Sequence, residues 1–320
     1  MSSTSSGRRR HAALHLFLII VLICAVLAAA LYVGFSLLAG KPTVGDPRCT
    51  VVSAQGATYT FTPEQTRNAS IVSAEALARG LDHRASVIAL ATAQQESELV
   101  NIDYGDRDSV GLFQQRPSQG WGTVTDIMDP HYATVAFYNH LEHVDYHSMS
   151  VTQAAQAVQQ SGVPDGYAKH EDSSAALTDA FHGTQPALLN CVLDPINTSP
   201  STSKDSASPA ARADQAVAGL TRDYGDTLGG MRAEGESAVV EPGDSRAGWA
   251  AAHWAVAHAE PLGITRVSYD GRTWDRGRQT STRFSAVPGW ESTQELTPEG
   301  QAAPPSPQVV ISTATSQDPA

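Results

Sequence analysis

The sequence predicts a mainly α-helical domain, preceded by one transmembrane helix and followed by a small α/β module. Three observations support this fold class: an apolar run near the N-terminus, helical periodicity in residues 63–192, and a later helix that precedes alternating segments. With 320 residues, the chain is long enough for one or two domains.

The composition limits the partners of the chain. Its formal net charge is -12, and only 17% of its residues are charged. Because so acidic a chain cannot neutralise phosphates, we expect no nucleic-acid partner.

An almost unbroken apolar run occupies residues 12–39. It exceeds the roughly 20 residues that a helix needs to cross a bilayer. Arginines at 8–10 precede the run and only Lys41 follows closely, so the positive-inside rule places residues 1–11 in the cytoplasm. The prediction is a single-pass protein of the cell membrane with most of its chain outside the cytoplasm. The alternative is a cleaved signal peptide, for which residues 28–30 offer small side chains.

The cysteines agree with an extracytoplasmic location. Cys24 lies within the apolar run, which leaves Cys49 and Cys191 on the oxidising side. These two flank the predicted helical domain, and we expect a disulfide that stabilises it by up to about 5 kcal/mol. Two free thiols are the alternative.

Helical periodicity and turn residues then define the elements in chain order. Residues 40–62 are predicted to be a spacer with an extended segment at 51–61, and residues 63–192 to be the helical domain. The first helix begins at Pro63, where Thr62 is a suitable cap. Further helices are expected at residues 85–98, 129–144, 152–161 and 173–181.

The remaining chain divides into three parts. Residues 193–208, rich in Ser, Thr and Pro, predict a linker, and residues 291–320 predict a disordered tail. Residues 209–290 form the α/β module, with helices near 209–228 and 248–262 and strands near 238–240, 264–269 and 273–274. This module resembles helix-strand modules of secreted envelope proteins, and we expect it to dock to the wall or to an envelope partner. Its tryptophans would form either the binding surface or the core: Trp249, Trp254 and Trp274.

Residues 89–122 carry the candidate chemistry. An apolar helical segment ends at Glu96 and Ser97, and a Gly-Leu-Phe-Gln turn follows at residues 111–114. A carboxyl group half-buried among apolar neighbours stays protonated near neutral pH and can donate its proton to a glycosidic oxygen. Ser97 would orient an acetamido or carboxyl group of the substrate. The alternative for Glu96 is a solvated surface charge.

The order of these motifs resembles the lytic transglycosylase branch of the lysozyme-like superfamily, over about residues 63–187. The resemblance implies a lysozyme-like domain and one catalytic carboxylate, Glu96, that acts as acid and then as base. It also implies a sugar groove lined by Gly111 and Gln114, with peptidoglycan strands as substrate and no cofactor.

The third motif of the family differs in this chain. Where the family has Ala-Tyr-Asn-Ala-Gly, residues 158–162 are Val-Gln-Gln-Ser-Gly, so Gln159 enters the predicted sugar site. Tyr167 is the residue that could supply the missing phenol. The change leaves open a second function, a module that binds peptidoglycan or an envelope partner without turnover.

Other polar residues near the turn have more than one interpretation. Asp106 and Asp108 could include a second carboxylate that activates water in an inverting hydrolase, or they could stiffen the loop together with Arg107. A metal site is a weaker alternative, because no series of ligands continues the Asp-x-Asp pattern. Gln115 and Trp121 would contact saccharide, although Trp121 could instead pack the loop onto the core.

The histidines do not complete a metal motif. Three of them recur on one helix face, but no His-Glu-x-x-His order is present, and we predict a solvated face and no metal site: His140, His143 and His147.

Overall fold

The structure is a computed structural model, and it describes residues 46–159, 166–194, 196, 207–279, 289–292 and 307–314. The predicted cytoplasmic segment and membrane helix, residues 1–39, lie outside these ranges, as does most of the predicted linker.

Helices form most of the chain between residues 63 and 181. In order they are α1 (Pro63–Ala78), α2 (His83–Ser97), α3 (Val124–Ile127), α4 (Pro130–Leu141), α5 (Val151–Gln159) and α6 (Glu171–Phe181). Short 3-10 helices lie at Pro117–Gln119, Tyr146–Ser148 and Ala168–His170. Helix α1 begins where the sequence predicts. Pro63 occupies its first turn, and Thr62 and Gln65 each accept a hydrogen bond from the other's backbone N–H.

A three-stranded antiparallel sheet joins the two ends of this helical part. Its strands are β1 (Arg48–Val52), β2 (Thr58–Phe61) and β3 (Leu189–Val192), in the order β2-β1-β3. Cys49 lies directly opposite Cys191 in the β1–β3 pairing, and the two are joined by a disulfide. The predicted disulfide is therefore confirmed.

The C-terminal part contains a second, six-stranded antiparallel sheet. Its elements are α7 (Pro209–Tyr224), β4 (Gly229–Glu234), β5 (Ser237–Pro242), α8 (Ser245–Ala257), β6 (Ile264–Tyr269), β7 (Arg272–Asp275), α9 (Arg276–Gln279), β8 (Trp290–Ser292) and β9 (Val309–Thr313). The strand order is β4-β5-β9-β6-β7-β8. Strand β9 therefore lies inside the sheet.

The predicted fold class is wrong. The sequence predicts a mainly α lysozyme-like domain, with a membrane helix before it and a small α/β module after it. The described chain carries two antiparallel sheets, and the larger one extends into residues that the sequence predicts to be a disordered tail. A short strand alternates between apolar and polar residues only two or three times. Such a brief pattern is hard to recognise in a segment rich in Pro and Ser. In β9 the alternation is real, because Val309, Ile311 and Thr313 are buried.

The predicted location in the cell membrane also has to be corrected. It depended on a helix at residues 12–39, which the structure does not describe. Across the ranges that are described, no helix combines the length and the apolar character needed to cross a bilayer.

Helix α8 connects the helical part to the larger sheet. It packs against α6 on one side and against β6 on another, and its buried residues belong to the same hydrophobic cluster as those of α2. The three tryptophans that the sequence offers as binding surface or core are at most 1% exposed, so they form core and no binding surface: Trp249, Trp254 and Trp274.

Candidate active site

Glu96 lies in the last turn of α2, a helix that is buried along most of its length. The helix ends because Glu98 and Leu99 adopt positive φ angles of 56° and 62°, which turn the chain back on itself. The Leu99 N–H donates to the Ala93 carbonyl and closes this turn. Glu96 is thus half-buried at the end of a fixed helix.

Tyr167 contacts the carboxyl group of Glu96. Its phenol Oη donates a hydrogen bond to Oε1 of Glu96 at 2.8 Å, and its ring is completely buried. The residue before it, Gly166, lies against the Gln95 amide, since a Cβ there would be 2.7 Å from Cδ of Gln95. The structure therefore brings together two residues that the sequence singles out. It also places Gln95 and Gly166 beside them, which the sequence did not predict. The Gly-Tyr dipeptide at residues 166–167 is the sequence signal that could have indicated Gly166.

The Gly-Leu-Phe-Gln turn is fixed beside this pair. Gly111 has a φ angle of 80°, and a Cβ there would lie 2.6 Å from the Ile127 carbonyl oxygen, so only glycine fits. The Ser97 hydroxyl donates to the Leu112 carbonyl at 2.6 Å, and the Gln159 amide donates to the Phe113 carbonyl at 2.6 Å. Because Ser97 is the neighbour of Glu96, the turn is tied directly to the end of α2.

These hydrogen bonds change the roles expected for several residues. Ser97 and Gln159 hold the turn and are not directed toward a ligand. The Gln114 amide donates to the carbonyls of Tyr104 and Gly111, each at 3.2 Å. Gln115 is 1% exposed, and its amide donates to the Ala133 carbonyl at 3.0 Å.

Trp121 packs the loop down, as one of its two readings predicts. Its ring lies over His140 with 4.1 Å between the centroids, and it is partly buried against the hydrophobic core. An aromatic face that is covered by an imidazole cannot also stack on a sugar through that face.

Asp108 anchors the loop that leads into the turn. Its carboxylate accepts hydrogen bonds from Nε of Arg116 at 2.9 Å and from the backbone N–H and hydroxyl of Ser118 at 2.8 Å and 3.0 Å. These hydrogen bonds, led by that of the Ser118 N–H, hold the pKa of Asp108 far below its ordinary value. Asp106 is exposed and lies 3.9 Å from Nε of Arg107. Asp108 is therefore a loop-stiffening carboxylate.

The three histidines of the α4 region have partners within the protein. The Nδ1 atoms of His140 and His143 hydrogen-bond to the carbonyls of Ala136 and Asn139, and His147 lies 3.5 Å from Oδ2 of Asp82. Among the residues that the structure describes, no group of three or more His, Cys, Asp or Glu side chains is placed to hold a metal ion.

A search of the known protein families and of curated protein sequences finds no match for this chain.

Proposed function

We propose that this protein is a peptidoglycan-active glycosidase that follows the lytic transglycosylase reaction. It would cleave the bond between N-acetylmuramic acid and N-acetylglucosamine, with Glu96 as the reacting carboxyl group. The observation that carries the proposal is the phenol of Tyr167 on the Glu96 carboxyl group at 2.8 Å, at the end of a buried helix. The motif order that resembles the transglycosylases supports it independently.

In this reaction the Glu96 carboxylic acid donates its proton to the oxygen that links the two sugars. The bond from that oxygen to C1 of the muramic acid breaks, and the electron pair leaves with the oxygen as a hydroxyl of the departing glucosamine. The Glu96 carboxylate then takes the proton of the C6 hydroxyl of the same muramic acid, whose oxygen closes on C1. Glu96 is protonated again, and an anhydro sugar is released.

Tyr167 would assist Glu96 when the carboxylate is charged. A hydrogen bond to an ionised acceptor is about twice as strong as one between neutral groups, so the phenol stabilises the carboxylate that remains after proton donation. The fixed ring also sets the direction in which the carboxyl group faces the substrate.

The test uses the full chain and purified peptidoglycan, with the released products identified by mass spectrometry. We expect anhydro-muropeptides from the wild type and none from Glu96→Gln, which keeps the shape of the side chain but removes its proton chemistry. Glu98→Gln is the matched control, because Glu98 is exposed and lies just beyond the helix, and this variant should release product normally.

The second candidate is a module that binds peptidoglycan without turnover. It is favoured by the internal use of the polar groups near Glu96, since hydrogen bonds to backbone carbonyls occupy Ser97, Gln114 and Gln159. In the same experiment this candidate predicts retained binding and no release by the wild type. Products with hydrated reducing ends would instead identify a hydrolase, and either result would overturn the transglycosylase.

A further inference from the structure

The exposed large hydrophobic side chains of the described residues all lie in one stretch of the chain. They are Tyr104, Val124 and Tyr132, with 69%, 52% and 39% of their surface exposed. This stretch contains the Gly-Leu-Phe-Gln turn and its flanking loops. Of the three, Tyr104 lies on a loop that hydrogen-bonds to the turn, and an exposed aromatic side chain next to a candidate site can serve as a binding surface.

Tyr104 is the most exposed of the three, and its loop is held against the turn. The backbone carbonyl of Tyr104 accepts a hydrogen bond from the Gln114 amide at 3.2 Å. The next residue is Gly105, where a Cβ would overlap Oε1 of Gln114. Absence of a side chain at Gly105 is thus what allows the loop to lie on Gln114.

The far end of the same loop is also fixed. The Ser109 N–H donates to the Asp106 carbonyl at 3.0 Å, and the Asp108 carboxylate is bound by Arg116 and Ser118. A ring displayed on a loop that is already ordered binds a ligand without a large loss of conformational entropy. The Tyr104 ring is therefore presented to solvent by a rigid support.

The groups around the ring select the chemistry of the ligand. Asp103 and Asp106 flank Tyr104 and are exposed, and an ionised carboxylate only accepts hydrogen bonds. A pyranose ring offers what this set needs, a C–H face for the aromatic ring and hydroxyl donors for the carboxylates. Phosphates and other anions are disfavoured, because the exposed residues 103–107 of this loop carry two carboxylates, Asp103 and Asp106, and one guanidinium, that of Arg107.

We propose that Tyr104 is the stacking platform of a sugar-binding subsite, with Asp103 and Asp106 as acceptors for sugar hydroxyls. The inference rests on the proposed function and deepens it. The subsite is linked to the reacting carboxyl group through Gln114, the turn and Ser97, the neighbour of Glu96. It would hold a residue of the glycan strand beyond the bond that is cleaved.

The test measures binding in the full chain carrying Glu96→Gln, so that turnover does not consume the ligand. N-acetylglucosamine oligomers and purified peptidoglycan glycan strands are titrated by calorimetry. We expect Tyr104→Ala to weaken binding of both glycans about tenfold, as loss of one aromatic contact does. Tyr104→Phe keeps the ring and should bind within about twofold of the parent. His143→Ala is the control, because His143 is an exposed ring outside the loop that carries Tyr104, and this variant should bind like the parent.

Equal binding by the parent and Tyr104→Ala would overturn the subsite, as would no measurable binding of either glycan by the parent. A Tyr104→Ala variant that changes only the sedimentation of the protein would show that the ring mediates contact between copies of the chain, which also overturns it. Failure of the proposed function is separate, because it would appear as absent turnover by the wild type while binding still depends on Tyr104.

Discussion

At the scale of single residues, the contact between Tyr167 and Glu96 is set by packing. The Tyr167 ring is completely buried, so its hydroxyl cannot turn away from the carboxyl group without disturbing the core. A donor that is fixed before the reaction stabilises developing charge more effectively than a solvated donor, which must first reorganise. In the proposed reaction Tyr167 would therefore act through Glu96, as a positioning residue.

We expect Tyr167→Phe to lower kcat for peptidoglycan about tenfold and to leave KM nearly unchanged, because the variant removes one hydroxyl and keeps the ring. Product release at several substrate concentrations measures both constants. Tyr138→Phe is the matched control, since Tyr138 is equally buried and its hydroxyl donates to the Val72 carbonyl at 2.9 Å. Both variants should lose about 1 kcal/mol of stability. An equal loss of kcat in the two would contradict the role of Tyr167.

The sequence identifies the residues of this site better than it identifies their partners. The motif order singles out Glu96, and Tyr167 is predicted to replace the phenol that the third motif lacks; the structure brings these two residues into contact. The motifs also select Ser97 and Gln159, but they assign them to a ligand, whereas both residues hydrogen-bond to backbone carbonyls. A hydroxyl or amide can serve either partner, and only the position of the neighbouring loop decides between them.

At the scale of elements, the Gly-Leu-Phe-Gln turn is held by two helices. Helix α2 contributes Ser97, helix α5 contributes Gln159, and their hydrogen bonds end on the adjacent carbonyls of Leu112 and Phe113. Buried carbonyls need partners, and here two distant parts of the chain supply them. Loss of either hydrogen bond should therefore loosen the other.

A double-mutant cycle measures this dependence. We expect Ser97→Ala and Gln159→Ala each to lower the free energy of unfolding by about 1 to 2 kcal/mol. The double variant should depart from additivity by about 0.5 to 1 kcal/mol, as urea denaturation would show. Gln153→Ala is the control, because Gln153 caps the opposite end of α5, where its Oε1 accepts from the Ser150 N–H. The effect of Gln153→Ala should add to that of Ser97→Ala. If Ser97→Ala and Gln159→Ala are also additive, the two hydrogen bonds do not depend on each other through the turn.

Elements differ in how far the sequence predicts them. Helix α1 begins where predicted because Thr62, Pro63 and Gln65 define its start by local hydrogen bonds. Strand β9 escapes prediction because its pairing partners, β5 and β6, lie far away in the chain. A short alternating segment becomes a strand only when a sheet offers it an open place, and its own sequence does not show that place.

At the scale of the whole molecule, two histidines and one aspartate join the helical part to the C-terminal part. His253 of α8 accepts from the Leu188 N–H at 3.0 Å and donates to the Ala180 carbonyl at 2.7 Å. The buried Asp223 carboxylate accepts from Nε1 of Trp254 and hydrogen-bonds to Nε2 of His131, each at 2.7 Å. The described residues from 47 onward belong to one compact unit, so the stability of one part depends on the other.

This arrangement makes the stability of the unit sensitive to acid. Burial lowers the pKa of three histidines to about 4: His182, His253 and His258. In the unfolded chain they titrate near their ordinary pKa of 6.5. Between these two values the unfolded state binds more protons than the folded state. Their contribution to stability is thus complete above pH 6.5 and is lost as the pH falls toward 4, at about 1.4 kcal/mol per pH unit for each histidine.

His253→Gln tests one of these connections. Glutamine can still accept from Leu188 and donate to Ala180, but it does not titrate, so the unfolding free energy of the variant should fall less steeply between pH 6.5 and 4. Urea denaturation at a series of pH values measures the slope, and we expect a decrease of about 1.4 kcal/mol per pH unit. Tyr138→Phe, which removes a buried hydrogen bond but no histidine, should leave the slope unchanged. If the wild type and His253→Gln share one slope, His253 is not held neutral between the two parts of the molecule.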